Sequence, residues 1–151
     1  METTFTITRT SREIYAKWLE KYSLEQLNKI PQGFNNNLIW NIGHIVVSQQ
    51  LLVYAGSNQP MMVSEEMLAK YRRGSKPEGD VTQEEVNEIK NLLFTTIEKT
   101  EDDYKKGLFT SYNERTSELG FLLSSTEMAI DFNNYHEAIH LGIMMQIKKF
   151  I

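Results

Sequence analysis

Apolar positions recur at helical spacing in four long stretches, and no stretch shows the convincing two-residue alternation of a half-buried strand. The first stretch runs from about Thr8 to Lys29. It carries Ile14, Tyr15, Trp18, Leu19, Tyr22 and Leu27 on a helical stripe until Pro31 and Gly33 stop it. The second runs from about Asn36 to Ala55, with Asn35 or Asn36 as the expected N-cap and Gly56 as its end. Trp40, His44, Val47, Leu51 and Ala55 form one stripe there. Ile42, Ile45, Val46 and Val53 make the other side apolar too. A helix that is apolar nearly all round is covered on more than one side, and a subunit interface is one candidate for the extra cover. The third stretch opens with Thr82-Gln83-Glu84-Glu85, a capping-box pattern, and continues to about Lys106 through Val86, Ile89, Leu93, Ile97 and Tyr104; Gly107 closes it. The fourth opens with Ser124-Ser125-Thr126-Glu127, a second capping box, and continues to the C-terminus with Lys148 and Lys149 in its last turn.

The segments between these stretches complete the expectation. Ser57 to Val81 contains Pro60, Gly74, Pro77 and Gly79, with a short helix predicted over Ser64 to Arg73. So long a link suits a crossover rather than a tight turn. Gly107 to Leu123 reads as irregular, with brief extended pieces at Thr110-Ser111-Tyr112 and Leu119-Gly120-Phe121. The pattern predicts an all-α fold: a four-helix bundle with a long crossover connection between its second and third helices, in one domain over 1–151.

Composition narrows the chemistry. The 151 residues carry a net charge of −4, and no basic stripe crosses them, so a nucleic-acid partner is not expected. The basic run Lys70-Tyr71-Arg72-Arg73, with Lys76 beyond it, reads as a helix end favoured by the dipole. There is no cysteine, which excludes disulfides and thiolate metal sites. Met1 to Arg12 has no apolar run, so no signal peptide is expected, and no stretch is expected to reach the length that spans a bilayer. The expectation is a cytoplasmic protein with no membrane partner. Trp18, Trp40 and most of the seven methionines, Met144 and Met145 among them, read as core and gap-filling residues. Gly43 and Gly142 cost helix stability and either permit a close helix approach or are simply tolerated.

The histidines carry the functional signal. There are three, and two stand in His136-Glu137-Ala138-Ile139-His140. On a helix these two lie one turn apart on one face, a spacing at which two imidazoles can grip one ion. At about 100° per residue, Met128, Phe132, Ile139, Ile143 and Ile147 fall in one arc, the expected core face, with His136 and His140 in it or at its margin. His44 belongs to the Trp40, Val47, Leu51 stripe. Two helices thus aim three imidazoles at a core. Each buried ring needs partners for its nitrogens, and one divalent cation supplies all three at once. Three imidazoles suit Zn²⁺, Ni²⁺ or Fe²⁺ and leave positions open for water or substrate.

Glu137 has two readings: a general base beside the ion, or a flank residue that is solvated or paired with a neighbouring helix. Asp131 lies off the arc and reads as a surface charge. A zinc-protease assignment fails, because Leu141 to Ile151 offers no His, Asp or Glu as a downstream third ligand. Tyr112, Asn113 and Arg115, in the irregular link, are candidates for a pocket mouth.

Trp40-Asn41-Ile42-Gly43-His44 before an apolar helix resembles the second-helix motif of the DinB superfamily. Phe132-Asn133-Asn134-Tyr135-His136-Glu137-Ala138-Ile139-His140-Leu141-Gly142 resembles its last-helix motif, and the resemblance covers nearly the whole chain. It implies a four-helix bundle, often a homodimer, with a divalent metal held by three histidines, here His44, His136 and His140. Relatives of this kind include metal-dependent hydrolases and thiol-dependent transferases or isomerases that use a low-molecular-weight thiol. The implied protein is a metalloenzyme that binds Zn²⁺ or Ni²⁺ at one end of the bundle and acts on a small electrophilic substrate. The alternative is a non-catalytic, metal-stabilised dimeric bundle or interaction module.

Overall fold

The first apolar stripe folds as two helices rather than one. In the structure, a computed structural model that describes all 151 residues, α1 spans Glu2–Lys21 and α2 spans Leu24–Asn28. The break falls at Ser23, whose hydroxyl accepts from Gln26 N while the Gln26 side chain accepts from Ser23 N. That reciprocal pair starts a new helix and ends the old one. α1 begins well before Thr8 because its first turns are anchored by polar contacts. Thr4 and Thr8 donate to Asp131 and Asn134, and Asn134 donates back to Thr4 O. A hydrophobic stripe does not register such an anchor.

The second stripe becomes α3, Leu38–Val53, followed by a single 3₁₀ turn at Ala55–Ser57. Its N-cap is Asn37, whose Oδ1 accepts from Trp40 N at 2.9 Å, one residue later than expected. Of its 16 residues, all but Leu51 are buried. Its extra apolar side is covered from within the chain, because α2, α4, α5 and α6 all pack on it. It is therefore no free subunit face. The stretch Leu38–Ser57 is, by length and composition alone, long and apolar enough to cross a membrane, which corrects the sequence expectation. Here it is the central core helix.

The long link carries α4, Glu65–Tyr71, capped by Ser64, and leads into α5, Gln83–Lys105, capped by Thr82. The capping box expected there is only half formed. Thr82 accepts from Glu85 N, but the Glu85 carboxylate turns to Lys70 Nζ at 2.6 Å and Tyr71 OH at 2.5 Å, pinning α4 to α5. Two short antiparallel strands follow, β1 at Arg115–Thr116 and β2 at Leu122–Leu123, with Arg115 opposite Leu123. They lie beside, not on, the expected extended pieces. α6 spans Thr126–Ile147, capped by Ser125 rather than Ser124, and stops short of the C-terminus.

The four long helices close a ring. α1 packs on α5 and α6, and α3 packs on the same two from the other side. The fold is all-α, with the two-stranded hairpin as its only sheet. A larger core cluster gathers around Tyr15, Leu38, Ile42, Val46 and Leu93, and a smaller one around Phe5, Tyr54, Ile97 and Ile130.

α6 is rotated from the expected setting. Met128 and Ile139 are 43% and 36% exposed, while Ala129, Ile130, Asn133, Glu137, Met144 and Ile147 are buried. The expected arc consisted of apolar residues alone. The buried side holds Glu137 because α1 offers Arg12 to it, and Asn133 because it donates to the same Glu137 oxygen, so polar pairing overrides the apolar arc. Tyr112, Asn113 and Arg115 reach the far end of α3, bonding Leu52 O, Gly56 O and Leu51 O. They fasten the link to that end and do not meet the histidines by any hydrogen bond.

Candidate metal centre

Each histidine is set by its own helix. His44 lies near the middle of α3 and is 4% exposed; His136 and His140 lie one turn apart in the middle of α6 and are half-buried. α3 and α6 are direct neighbours, and the rings meet between them. Ring centroids are 5.2 Å apart for His44 and His136, and 4.6 Å apart for both other pairs. One potential ligand nitrogen from each ring falls within 4.8 Å of the other two.

Hydrogen bonds fix which nitrogen faces the cluster in two of the rings. His44 Nδ1 lies 2.7 Å from Tyr71 O. A carbonyl only accepts, so Nδ1 carries the proton and donates, and the lone pair is on Nε2. Ser48 Oγ, 3.2 Å from that Nε2, is placed to donate to it. His140 Nδ1 lies 2.8 Å from Asn41 Oδ1. The Asn41 amide nitrogen is already committed to Asn37 O and Asn36 Oδ1, which leaves its oxygen to accept from His140. His140 therefore presents an unprotonated Nε2, as His44 does, and that of His44 is held by the Ser48 hydroxyl. This is the arrangement of ligating histidines, in which the second ring N–H is held by a carbonyl or amide acceptor.

Tyr71 reaches His44 because α3 has no side chain at Gly43. A Cβ there would stand 2.5 Å from the Tyr71 ring. Trp40, one turn before His44, stacks on it with centroids 4.8 Å apart and planes 10° from parallel, walling one side of the ring.

Burial keeps the rings neutral. It lowers the His44 pKa, with the Tyr71 carbonyl opposing and the Arg73 charge adding to the effect. Burial and the neighbouring His44 push His136 down to about 4. Burial, His44 and His136 push His140 down to about 3. Neutral imidazole is the form that binds metal, so the protein holds three ligands ready at neutral pH. The donor set fits a first-row divalent ion. At a usual Zn–N length of about 2.0–2.1 Å and tetrahedral angles, two nitrogens on one ion stand roughly 3.4 Å apart, so loading draws the widest pair of rings together by on the order of an ångström.

The model of the DinB superfamily matches residues 7–144. The chain belongs to the DinB superfamily. No curated protein matches this DinB chain.

Around the cluster lie residues that sequence reasoning passed over. Arg12 is fully buried and gives Nη1 to Leu93 O and Thr96 Oγ1, and Nε and Nη2 to Glu137 Oε1. Its signal was available: Thr8, Arg12, Tyr15 and Leu19 share one face of α1, and a cation on a core face demands a buried partner. Glu137 is that partner. It is 1% exposed and its Oε1 also accepts from Asn133 Nδ2, so the helix-pairing reading of Glu137 is the geometry found. Asn41 and Tyr71 gave no such signal, since an amide and a backbone carbonyl look alike at any position.

Proposed function

We propose that this DinB-superfamily chain is a divalent-metal-dependent enzyme, a hydrolase or small-thiol S-transferase acting on a small electrophilic substrate. His44, His136 and His140 hold the ion in this reading, with Zn²⁺ or Ni²⁺ the leading candidates. The observation that carries it is the convergence of three neutral imidazoles from two helices, two of them with Nδ1 tied so that Nε2 faces the cluster. When bound, such an ion supplies a Lewis acid that favours the deprotonated form of water or a thiol. The chain's own residues do the positioning. Tyr71 O and Asn41 Oδ1 hold two rings in the ligating tautomer, Trp40 walls His44, and burial keeps protons off all three.

With no cysteine in the chain, a reacting thiol comes from outside it. The scaffold in this reading is a four-helix bundle whose long crossover bears α4; the ring of contacts among α1, α3, α5 and α6 supports it. Glu137 is assigned a positioning role, since Arg12 and Asn133 already claim its Oε1.

Elemental analysis of protein purified without added metal tests the first half. A bound transition ion near one per chain is the expected result, and none after reconstitution with Zn²⁺ or Ni²⁺ would end the proposal. Thiol consumption with model electrophiles, measured before chelation, after it and on restoring the ion, tests the second half. Turnover of esters or amides without thiol would select the hydrolase. The second reading is a non-catalytic module with a structural ion, favoured by the burial of His44. It predicts a large fall in melting temperature on chelation and no turnover of either substrate class.

A further inference from the structure

His44 and His140 each give their Nδ1–H to a protein acceptor, but His136 Nδ1 is buried without a partner. Two other buried side-chain atoms share that condition, Asn133 Oδ1 and Glu137 Oε2, and both can accept. All three belong to little more than one turn of α6, since Asn133 precedes His136 by three residues and Glu137 follows it. Asn133 is 2% exposed and Glu137 1%, so water does not satisfy these groups from bulk. As the side chains stand, none of the three bonds another, but two acceptors and one imidazole nitrogen in the same stretch of α6 match in number and kind for an outer shell around a ligating histidine.

The surroundings fix their orientation. Asn133 Nδ2 donates to Glu137 Oε1 at 2.8 Å, which leaves Oδ1 as the free end of the amide. Arg12 holds Oε1 through two hydrogen bonds, which leaves Oε2 as the free end of the carboxylate. Tyr15 OH bonds Glu137 O and adds a further tie between α1 and this turn. The Arg12–Glu137 pair is fully buried, and what it holds firmly is the orientation of the Glu137 carboxylate.

We infer that Asn133 and Glu137, held in place by Arg12, are the acceptor shell of His136. They serve as acceptors for a hydrogen bond from its Nδ1–H, which leaves Nε2 as the bare nitrogen for the ion. All three are positioning residues. This inference deepens the metal-site reading above and rests on it, but its first test needs no metal.

In metal-free protein, nitrogen-15 NMR of the His136 ring reads the tautomer directly. Wild type is expected to show the proton on Nδ1. Glu137→Gln keeps the size of the side chain and an oxygen for Arg12, but turns an NH₂ toward His136, and is expected to shift the proton to Nε2. Asn133→Ala removes the amide acceptor and should move the ring part of the way.

Zn²⁺ affinity, by competition with a chromophoric chelator, is expected to fall by roughly 10- to 100-fold in Glu137→Gln and less in Asn133→Ala. A merely structural role would lower the melting temperature and leave tautomer and affinity unchanged in the folded fraction. That result, in whichever of the two variants folds, would overturn the inference. Failure of wild type to bind Zn²⁺ at all would sink the metal-site reading, while the metal-free tautomer would still decide this one.

Discussion

Gly43 shows how much a missing methyl group can hold in place. The Tyr71 ring fills the space where a Cβ would stand, and Tyr71 cannot retreat, because it is 1% exposed and its hydroxyl is bonded to Glu85. Gly43→Ala must push α4 away and take Tyr71 O off His44 Nδ1. We expect a loss of about 1–3 kcal/mol in urea unfolding, together with weaker metal uptake. At the histidines the prediction is simpler. His140→Ala strips one of three ligands and should strongly lower the metal content found by elemental analysis. Unchanged occupancy in His44→Ala, His136→Ala and His140→Ala alike would remove the ion from this site. The three histidines were legible because imidazoles are few and stand on stripes. Their acceptors were not, because Asn41 becomes a partner only when α3 and α6 meet.

Among the elements, α3 depends on its cap. Asn37 accepts from Trp40 N and also donates to Asn28 O, so one side chain starts α3 and joins it to the end of α2. Asn37→Ala is expected to cost about 1 kcal/mol for the cap and somewhat more for the abandoned carbonyl, read by chemical denaturation. The junction of α3 and α5 responds to acid. Burial alone would raise the Asp103 carboxyl, but hydrogen bonds from Lys99 and Tyr54 outweigh it and hold the group below its ordinary value of 3.8. A carboxyl depressed in the folded state contributes stability above its ordinary value and loses it as pH falls through the lowered one. Stability curves should therefore bend downward below about pH 4 in wild type, and Asp103→Asn should flatten that limb. An identical acid limb in both proteins would show that the contact contributes nothing.

The helix patterns predicted these elements well where apolar spacing and caps agreed, as in α5. They failed where polar contacts decided, as at the start of α1 and in the rotation of α6.

At the scale of the whole molecule, the rotation of α6 relocates the expected homodimer, which remains our proposal. The face first considered, on α3, is covered within the chain. α6 instead turns Met128, Tyr135 and Ile139 outward, 43%, 46% and 36% exposed. Gly142 lies on the same side, and an added Cβ there would meet nothing within 4 Å. Two carboxylates edge this side, Asp131, which accepts from Thr4, and the exposed Glu127 one turn before it. A stripe of exposed apolar side chains with a glycine toward its end suits a second copy of itself across a two-fold axis, with the carboxylates left at its margin. Sedimentation velocity should show a dimer for wild type and a monomer for Ile139→Glu with undiminished metal content. A monomeric wild type would leave the stripe without this partner.

The flat stack of Trp40 on His44 gives the chain a light-emitting witness beside the cluster. Only one other indole, Trp18, contributes to the emission. An open-shell cation such as Ni²⁺ seated against that imidazole should darken Trp40, whereas closed-shell Zn²⁺ should leave it bright. A fluorimeter and an unlabelled sample are then enough to tell which of the two ions has arrived.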